Sequence, residues 1–138
     1  MSFLGSFIEA MAPKKPTYKE EIGRSTWLLL HALADHFPLD NEKGQCERYG
    51  QAFLSLLDAL SVLYPCEDCR SHLQQYLITN PPRMENRAHA VRWVFNFHNA
   101  VNTRLNKTQF SVQDYTSRLN SKFADVSADG ICTKCSSI

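Results

Sequence analysis

The chain has 138 residues, 43% of them hydrophobic, and its 15 basic side chains nearly cancel 14 acidic ones. That length and apolar share suit one domain with its own core. The balanced charge excludes the strong basic field of a nucleic-acid or anionic-lipid binder, and no apolar run approaches the roughly 20 residues that cross a bilayer.

The apolar residues of 2–11 form too short and too acidic a stretch for a secretory leader, and no basic residue precedes them. Pro13, Lys14, Lys15 and Pro16 break any long element, so residues 1–19 read as an N-terminal tail whose lysines are solvated. From Glu21 to Phe37, apolar side chains at Trp27, Leu30, Leu33, Ala34 and Phe37 recur at helical spacing, and Pro38 ends the pattern. Asp40 and Asn41 can cap a second helix, marked by Tyr49, Phe53, Leu56, Leu57, Leu60 and Leu63. Pro65 suits the start of a third, Cys66 to Leu77, because its missing N–H would be unpaired there anyway, and Asn80-Pro81-Pro82 stops it.

A fourth helix is expected from about Glu85 to Leu105, with Val91, Val94, Phe95, His98, Val101 and Leu105 near one face. A short fifth is expected around Ser111 to Phe123, followed by a polar tail. No repeat and no strand pattern is present, so the predicted architecture is an all-α helical bundle. The domain is expected over residues 20–124, with a C-terminal tail at 125–138.

Four of the five cysteines fall into two C-x-x-C pairs, Cys66/Cys69 and Cys132/Cys135, and Cys46 stands alone. A pair at a helix start sets two sulfurs one turn apart, where the helix dipole and unpaired N–H groups stabilise a thiolate. That is what thiol–disulfide exchange requires. Spacing alone leaves half of a zinc site equally open. The separation between the pairs, about sixty residues, exceeds that of compact zinc modules, and a thioredoxin-like fold would need strands. The rival reading is a zinc-stabilised helical interaction module that uses both pairs. Cys46 reads as a buried thiol, with an intersubunit bridge as the alternative.

Three motifs occur in order: Gly23-Arg24-Ser25-Thr26-Trp27-Leu28-Leu29-Leu30-His31, then Tyr64-Pro65-Cys66-Glu67-Asp68-Cys69, then His98 through Lys107. Together they resemble the Erv/ALR family of flavin-linked sulfhydryl oxidases from Gly23 to about Phe110. The resemblance implies a four-helix bundle with a short fifth helix, FAD at the bundle mouth, and a homodimer. Gly23, Arg24, Trp27 and His31, with His98, Asn99, Val101, Asn102, Leu105 and Lys107, correspond to the family's FAD-contacting set. Trp27/His31 and His98/Asn102 each share a helix face, which makes convergence on one ligand sensible. Read without the family, Trp27 would be a core anchor and both histidines core residues.

By the same resemblance Cys69 faces the isoalloxazine and passes electrons to it, while Cys66 exchanges with incoming thiols. The implied reaction is 2 R–SH + O₂ → R–S–S–R + H₂O₂ on thiol-containing proteins, with oxygen or a cytochrome as acceptor and no metal. Cys132 and Cys135 correspond to a shuttle disulfide, and the implied location is the mitochondrial intermembrane space, with viral relatives as another setting. The sequence departs from the family in places. A structural disulfide common there has Phe95 and Val112 at its positions, which predicts that these two meet in one apolar cluster. Thr108 replaces a proline, and Leu119 and Phe123 replace tryptophans.

Overall fold

Thr17 opens the first helix of the described residues. Its Oγ1 accepts a hydrogen bond from Glu20 N at 3.3 Å while Glu20 Oε2 accepts one from Thr17 N at 3.1 Å, a reciprocal box that satisfies two otherwise unpaired N–H groups. In the computed structural model, which describes residues 14–39, 43–115 and 117, helix α1 therefore runs Tyr18–Asp35. It starts ahead of Glu21 because the cap, and not the apolar stripe, sets the boundary. Helix α2 spans Lys43–Leu63, α3 Glu67–Thr79 and α4 Arg87–Arg104. Asp40 and Asn41, the expected caps of α2, lie outside the described residues.

Pro65 does not open α3. It precedes the cap, which is Cys66 itself, and Asn80 closes the helix before Pro81. Asn86 caps α4, its side chain accepting from His89 N at 2.9 Å. Residues 112–115 form a short helical turn, where Ser111 Oγ accepts from Asp114 N at 3.1 Å. Most of the expected fifth helix beyond it, to Phe123, lies outside the described residues, which contain no strand.

Helix α1 packs along α4 and α2 along α3. Between them lies one cluster that includes Leu30, Phe37, Phe53, Leu57, Leu73 and Val94. The buried stripe of α2 is Cys46, Gly50, Phe53, Leu57 and Ser61, so Tyr49 and Leu63 of the expected stripe face outward. The register turns on small residues: a Cβ on Gly50 would collide with the Met84 carbonyl oxygen, so only glycine lets the segment before α4 pass that close. On α4 the buried line is Ala90, Trp93, Val94 and Phe97. Trp93 Nε1 donates to the Asn80 carbonyl at 2.8 Å, tying the end of α3 to α4. None of the helices of the described residues is long and apolar enough to cross a membrane.

Candidate functional site

The chemistry sits where α2 turns into α3. Cys66 caps α3, its Sγ accepting weakly from Cys69 N at 3.4 Å, and the two cysteines form a disulfide with Cα atoms 5.2 Å apart. Both sulfurs therefore stand at the positive end of the helix dipole. Arg70 donates to the Tyr64 carbonyl, and Gln74 Nε2 donates to the Ser61 carbonyl at 2.8 Å, so the turn that presents the pair is held from both sides. Arg104 Nη1 donates to the Asp68 carbonyl at 3.2 Å and ties the end of α4 to the same turn.

The disulfide divides two hollows. Cys69 lies in the wall of a groove of about 960 Å³ between α1, α3 and α4, at the upper end of the range for sites that hold cofactor-sized ligands. Cys66 lies in the wall of a smaller hollow of about 310 Å³, with Tyr18, Ile22, Tyr64 and Pro65 as its apolar sides and Lys19, Glu67 and Asp68 as its charged ones. Lys19 and Tyr64 border both.

Of the residues expected to contact a cofactor, Gly23, Arg24, Trp27, His31, Cys69, His98, Val101, Asn102, Leu105 and Lys107 all line the groove. Trp27 and His98 stack with ring centroids 4.0 Å apart and planes 3° from parallel. His31 Nε2 and His98 Nδ1 share a hydrogen bond of 2.8 Å. His31 Nδ1 is buried without a partner, and burial holds the imidazole down to about 4, so His31 is neutral at pH 7. Arg24 and Lys107 are exposed, and no salt bridge among the described residues engages either.

Asn99 does not line the groove. Its Oδ1 accepts from Phe110 N at 2.9 Å and its Nδ2 donates to Phe110 O at 3.1 Å, so one side-chain amide pairs with one backbone residue as a strand neighbour would. The bond pair closes the turn after α4, where Asn106 adopts φ 54° and Lys107 N donates to Asn102 O at 2.8 Å. Leu105, Lys107, Thr108 and Phe110 on this turn form the groove's rim.

Several lining residues escaped sequence reasoning. His72 shares a helix face with Cys69 one turn on, a spacing that could have marked it. Burial first, and then the Arg104 charge, hold His72 below its ordinary value. Tyr115 is buried beside His31, with centroids 4.7 Å apart; burial first, and then the Asp35 charge, raise its phenol. Phe95 meets Tyr115 edge-on at 5.7 Å, whereas Val112 keeps 67% of its surface exposed. Phe95 thus packs against Tyr115, the inward-facing residue of the short turn, and Val112 is mostly exposed. Cys46 is a buried free thiol that donates to the Leu39 carbonyl at 3.3 Å. Cys132, Cys135, Leu119 and Phe123 lie outside the described residues. Among those described, no group of three or more His, Cys, Asp or Glu side chains converges as a metal site would.

The sequence model of the Erv1 / Alr family matches residues 24–123, a span that includes Cys66, Cys69 and most of the residues lining the groove. The chain belongs to the Erv1/Alr family. Among its relatives is the mitochondrial FAD-linked sulfhydryl oxidase ERV1 of Saccharomyces cerevisiae, 33% identical over 106 residues, which are 75% of this chain and 52% of that protein. The FAD-linked sulfhydryl oxidase of African swine fever virus (isolate Warthog/Namibia/Wart80/1980) is 38% identical over 93 residues, or 67% of this chain and 75% of the viral one. The crystal structure of the FAD binding domain of Erv1 from Saccharomyces cerevisiae superposes with a TM-score of 0.64 at 31% identity, covering 77% of this chain and 97% of that domain. The Erv1/Alr bundle is therefore the fold of this chain, which spans about half the length of the yeast protein it matches.

Proposed function

We propose that this chain is an FAD-linked sulfhydryl oxidase that makes disulfides in thiol-containing proteins and passes their electrons to oxygen or a cytochrome. The observation that carries this reading is the placement of one disulfide between two hollows, Cys66 opening on the smaller and Cys69 on the groove. The names of the yeast and viral relatives support it. We assign the oxidase domain to residues 20–124, flanked by tails at 1–19 and 125–138.

The groove suits a flavin dinucleotide. Its volume is adequate, Trp27 and His98 offer flat faces, Val101 and Leu105 offer aliphatic walls, and the unpartnered His31 Nδ1 is a buried polar atom that a ligand can satisfy. Arg24 and Lys107 would meet phosphate. Bound flavin would supply two-electron acceptance from thiols and one-electron passage onward. The protein's part is thiol chemistry. A substrate thiolate attacks Cys66 Sγ, the Cys66–Cys69 bond breaks, and Cys69 leaves as a thiolate stabilised by the α3 N-terminus. A second substrate thiol then displaces Cys66 and completes the new disulfide. Cys132 and Cys135 act as a shuttle pair that relays electrons from protein substrates to Cys66.

The proposed location is the mitochondrion, which the name of the yeast relative supports, and within it the intermembrane space; the viral relative supports a viral setting as the second reading. A homodimer belongs to the same reading, and the exposed Leu28 and Leu29 of α1 offer a second copy apolar surface. The test is oxygen uptake driven by dithiothreitol. Uptake should match peroxide formation and vanish in Cys66→Ser and Cys69→Ser. A protein with stoichiometric zinc and no thiol-driven uptake would instead be the zinc-stabilised interaction module.

A further inference from the structure

Helix α3 gives the groove wall Cys69, His72 and Leu73, and of these the exchange reaction leaves the imidazole unused. His72 stands three residues after Cys69, and side chains at that spacing share a helix face with Cβ atoms roughly 5–6 Å apart. Helical side chains lean toward the N-terminus of their own helix, so the His72 ring lies over the turn that carries Cys69. Phe97 of α4 covers that ring, with centroids 6.0 Å apart and planes 25° from parallel, and Tyr76 follows it along α3 at 6.4 Å. Packing thus holds the imidazole beside the sulfur, yet it makes no hydrogen bond or ion pair among the described residues.

The surrounding charges suit a sulfur that must turn negative. Arg104 donates to the Asp68 carbonyl, and its charge reaches His72. Burial and that charge keep the imidazole uncharged at pH 7 while the disulfide is closed. The other charged groups on the groove are Lys19, Glu20 and Arg24 of α1 and Lys107 beyond α4, while α2 lends only Leu57 and Leu60. The groove's other two imidazoles, His31 and His98, are bonded to each other. Among all these groups only His72 shares a helix face with Cys69.

We propose that His72 is the proton-carrying partner of Cys69: its imidazole takes up a proton as the disulfide opens, and the imidazolium holds Cys69 as a thiolate. A substrate thiolate bonds to Cys66 Sγ, the Cys66–Cys69 bond breaks, and its electron pair stays on Cys69. The new negative charge outweighs the burial and the Arg104 repulsion that kept the ring neutral, so His72 takes one proton from solvent. When Cys69 gives up its electrons that attraction ends, and the proton returns to solvent. Arg104 opposes the imidazolium but favours the thiolate, so the partnership lasts only while the sulfur is charged. This deepens the oxidase reading above and rests on it.

The experiment uses flavin-loaded Cys66→Ser protein, in which Cys69 is a free thiol, and follows the thiolate-to-flavin absorbance across the range that spans an ordinary thiol, about pH 5 to about pH 10. Adding His72→Phe, which keeps a ring against Phe97, should move the midpoint up by about one pH unit or more. His72→Gln, whose amide cannot take a proton, should also move it up, and it decides alone should His72→Phe hold no flavin. Nitrogen-15 shifts should show the His72 ring charged in Cys66→Ser at pH values where it is uncharged in the disulfide-bonded parent. In the chain with both cysteines, His72→Phe should lower dithiothreitol turnover several-fold against the parent at pH 7, and the gap should close as pH rises and Cys69 ionises unaided. A parent that binds no flavin would sink the oxidase reading itself. If flavin binds and the His72 variants keep the midpoint of Cys66→Ser, or the ring stays uncharged when the thiolate forms, the oxidase reading stands and His72 is not the partner of Cys69.

Discussion

His31 and His98 share a 2.8 Å hydrogen bond from opposite helices, and the second ring nitrogen of His31 is buried without a partner. The pair makes acid an opponent of the fold. His31 titrates at 6.5 when exposed and is held down to about 4 by burial. Between those values the unfolded chain takes a proton that the native chain refuses, so the contribution is complete above pH 6.5 and is lost as pH falls toward 4. Its full size is up to ~3 kcal/mol. Flavin-free protein should melt progressively lower from pH 7 to pH 4.5, and His31→Gln should flatten that dependence. Parallel curves for the two proteins would remove His31 as the cause.

Asn99 and Phe110 supply the second prediction. Asn99→Ala removes both bonds to the Phe110 backbone, so it should cost about 1–3 kcal/mol and release the rim that carries Leu105 and Lys107. Purified Asn99→Ala should hold less flavin than the parent. Asn99→Asp keeps an acceptor for Phe110 N and loses the donor to Phe110 O, and should fall between. Flavin content equal in all three would mean that the rim does not depend on the clamp.

The tight passage at Gly50 predicts a fold defect remote from the disulfide. Gly50→Ala drives a methyl group into the Met84 carbonyl, a backbone atom that cannot swing aside, and overpacking of that kind typically costs about 1–3 kcal/mol. A melting temperature unchanged by this substitution would show that the segment before α4 can yield.

The two core cysteines should be separable by colour. Cys66→Ser leaves Cys69 as a free thiol on the groove wall, and Cys69→Ser leaves Cys66 on the other hollow. Both variants should lose turnover. A long-wavelength thiolate-to-flavin absorbance should appear in Cys66→Ser alone, and its appearance in Cys69→Ser would exchange the two roles.

Much of this arrangement was legible in the residues. Among the described residues apolar periodicity located three of the four long helices, and Pro65 with Asn80-Pro81-Pro82 located the other; ten of the residues expected to contact a cofactor line the groove. What periodicity misjudged was register and boundary. It cannot see the Thr17–Glu20 box ahead of α1, nor that Gly50 and Ser61 mark the buried line of α2 where larger Tyr49 and Leu63 do not. Asn99 shares a motif with residues that line the groove, and the motif alone does not show that its amide pairs with the Phe110 backbone. Nor does periodicity show that the short helical turn points Tyr115 inward against Phe95 while Val112 keeps most of its surface exposed.

The most direct measurement is the absorption spectrum of the purified protein, taken before and after dithiothreitol under anaerobic conditions. A flavin band near ~450 nm should be present, bleach on addition of the dithiol, and return when air is admitted. In Cys69→Ser the same band should be present and stay unbleached. A colourless protein that carries stoichiometric zinc, or a flavin band that the dithiol bleaches equally well without Cys69, would contradict the account.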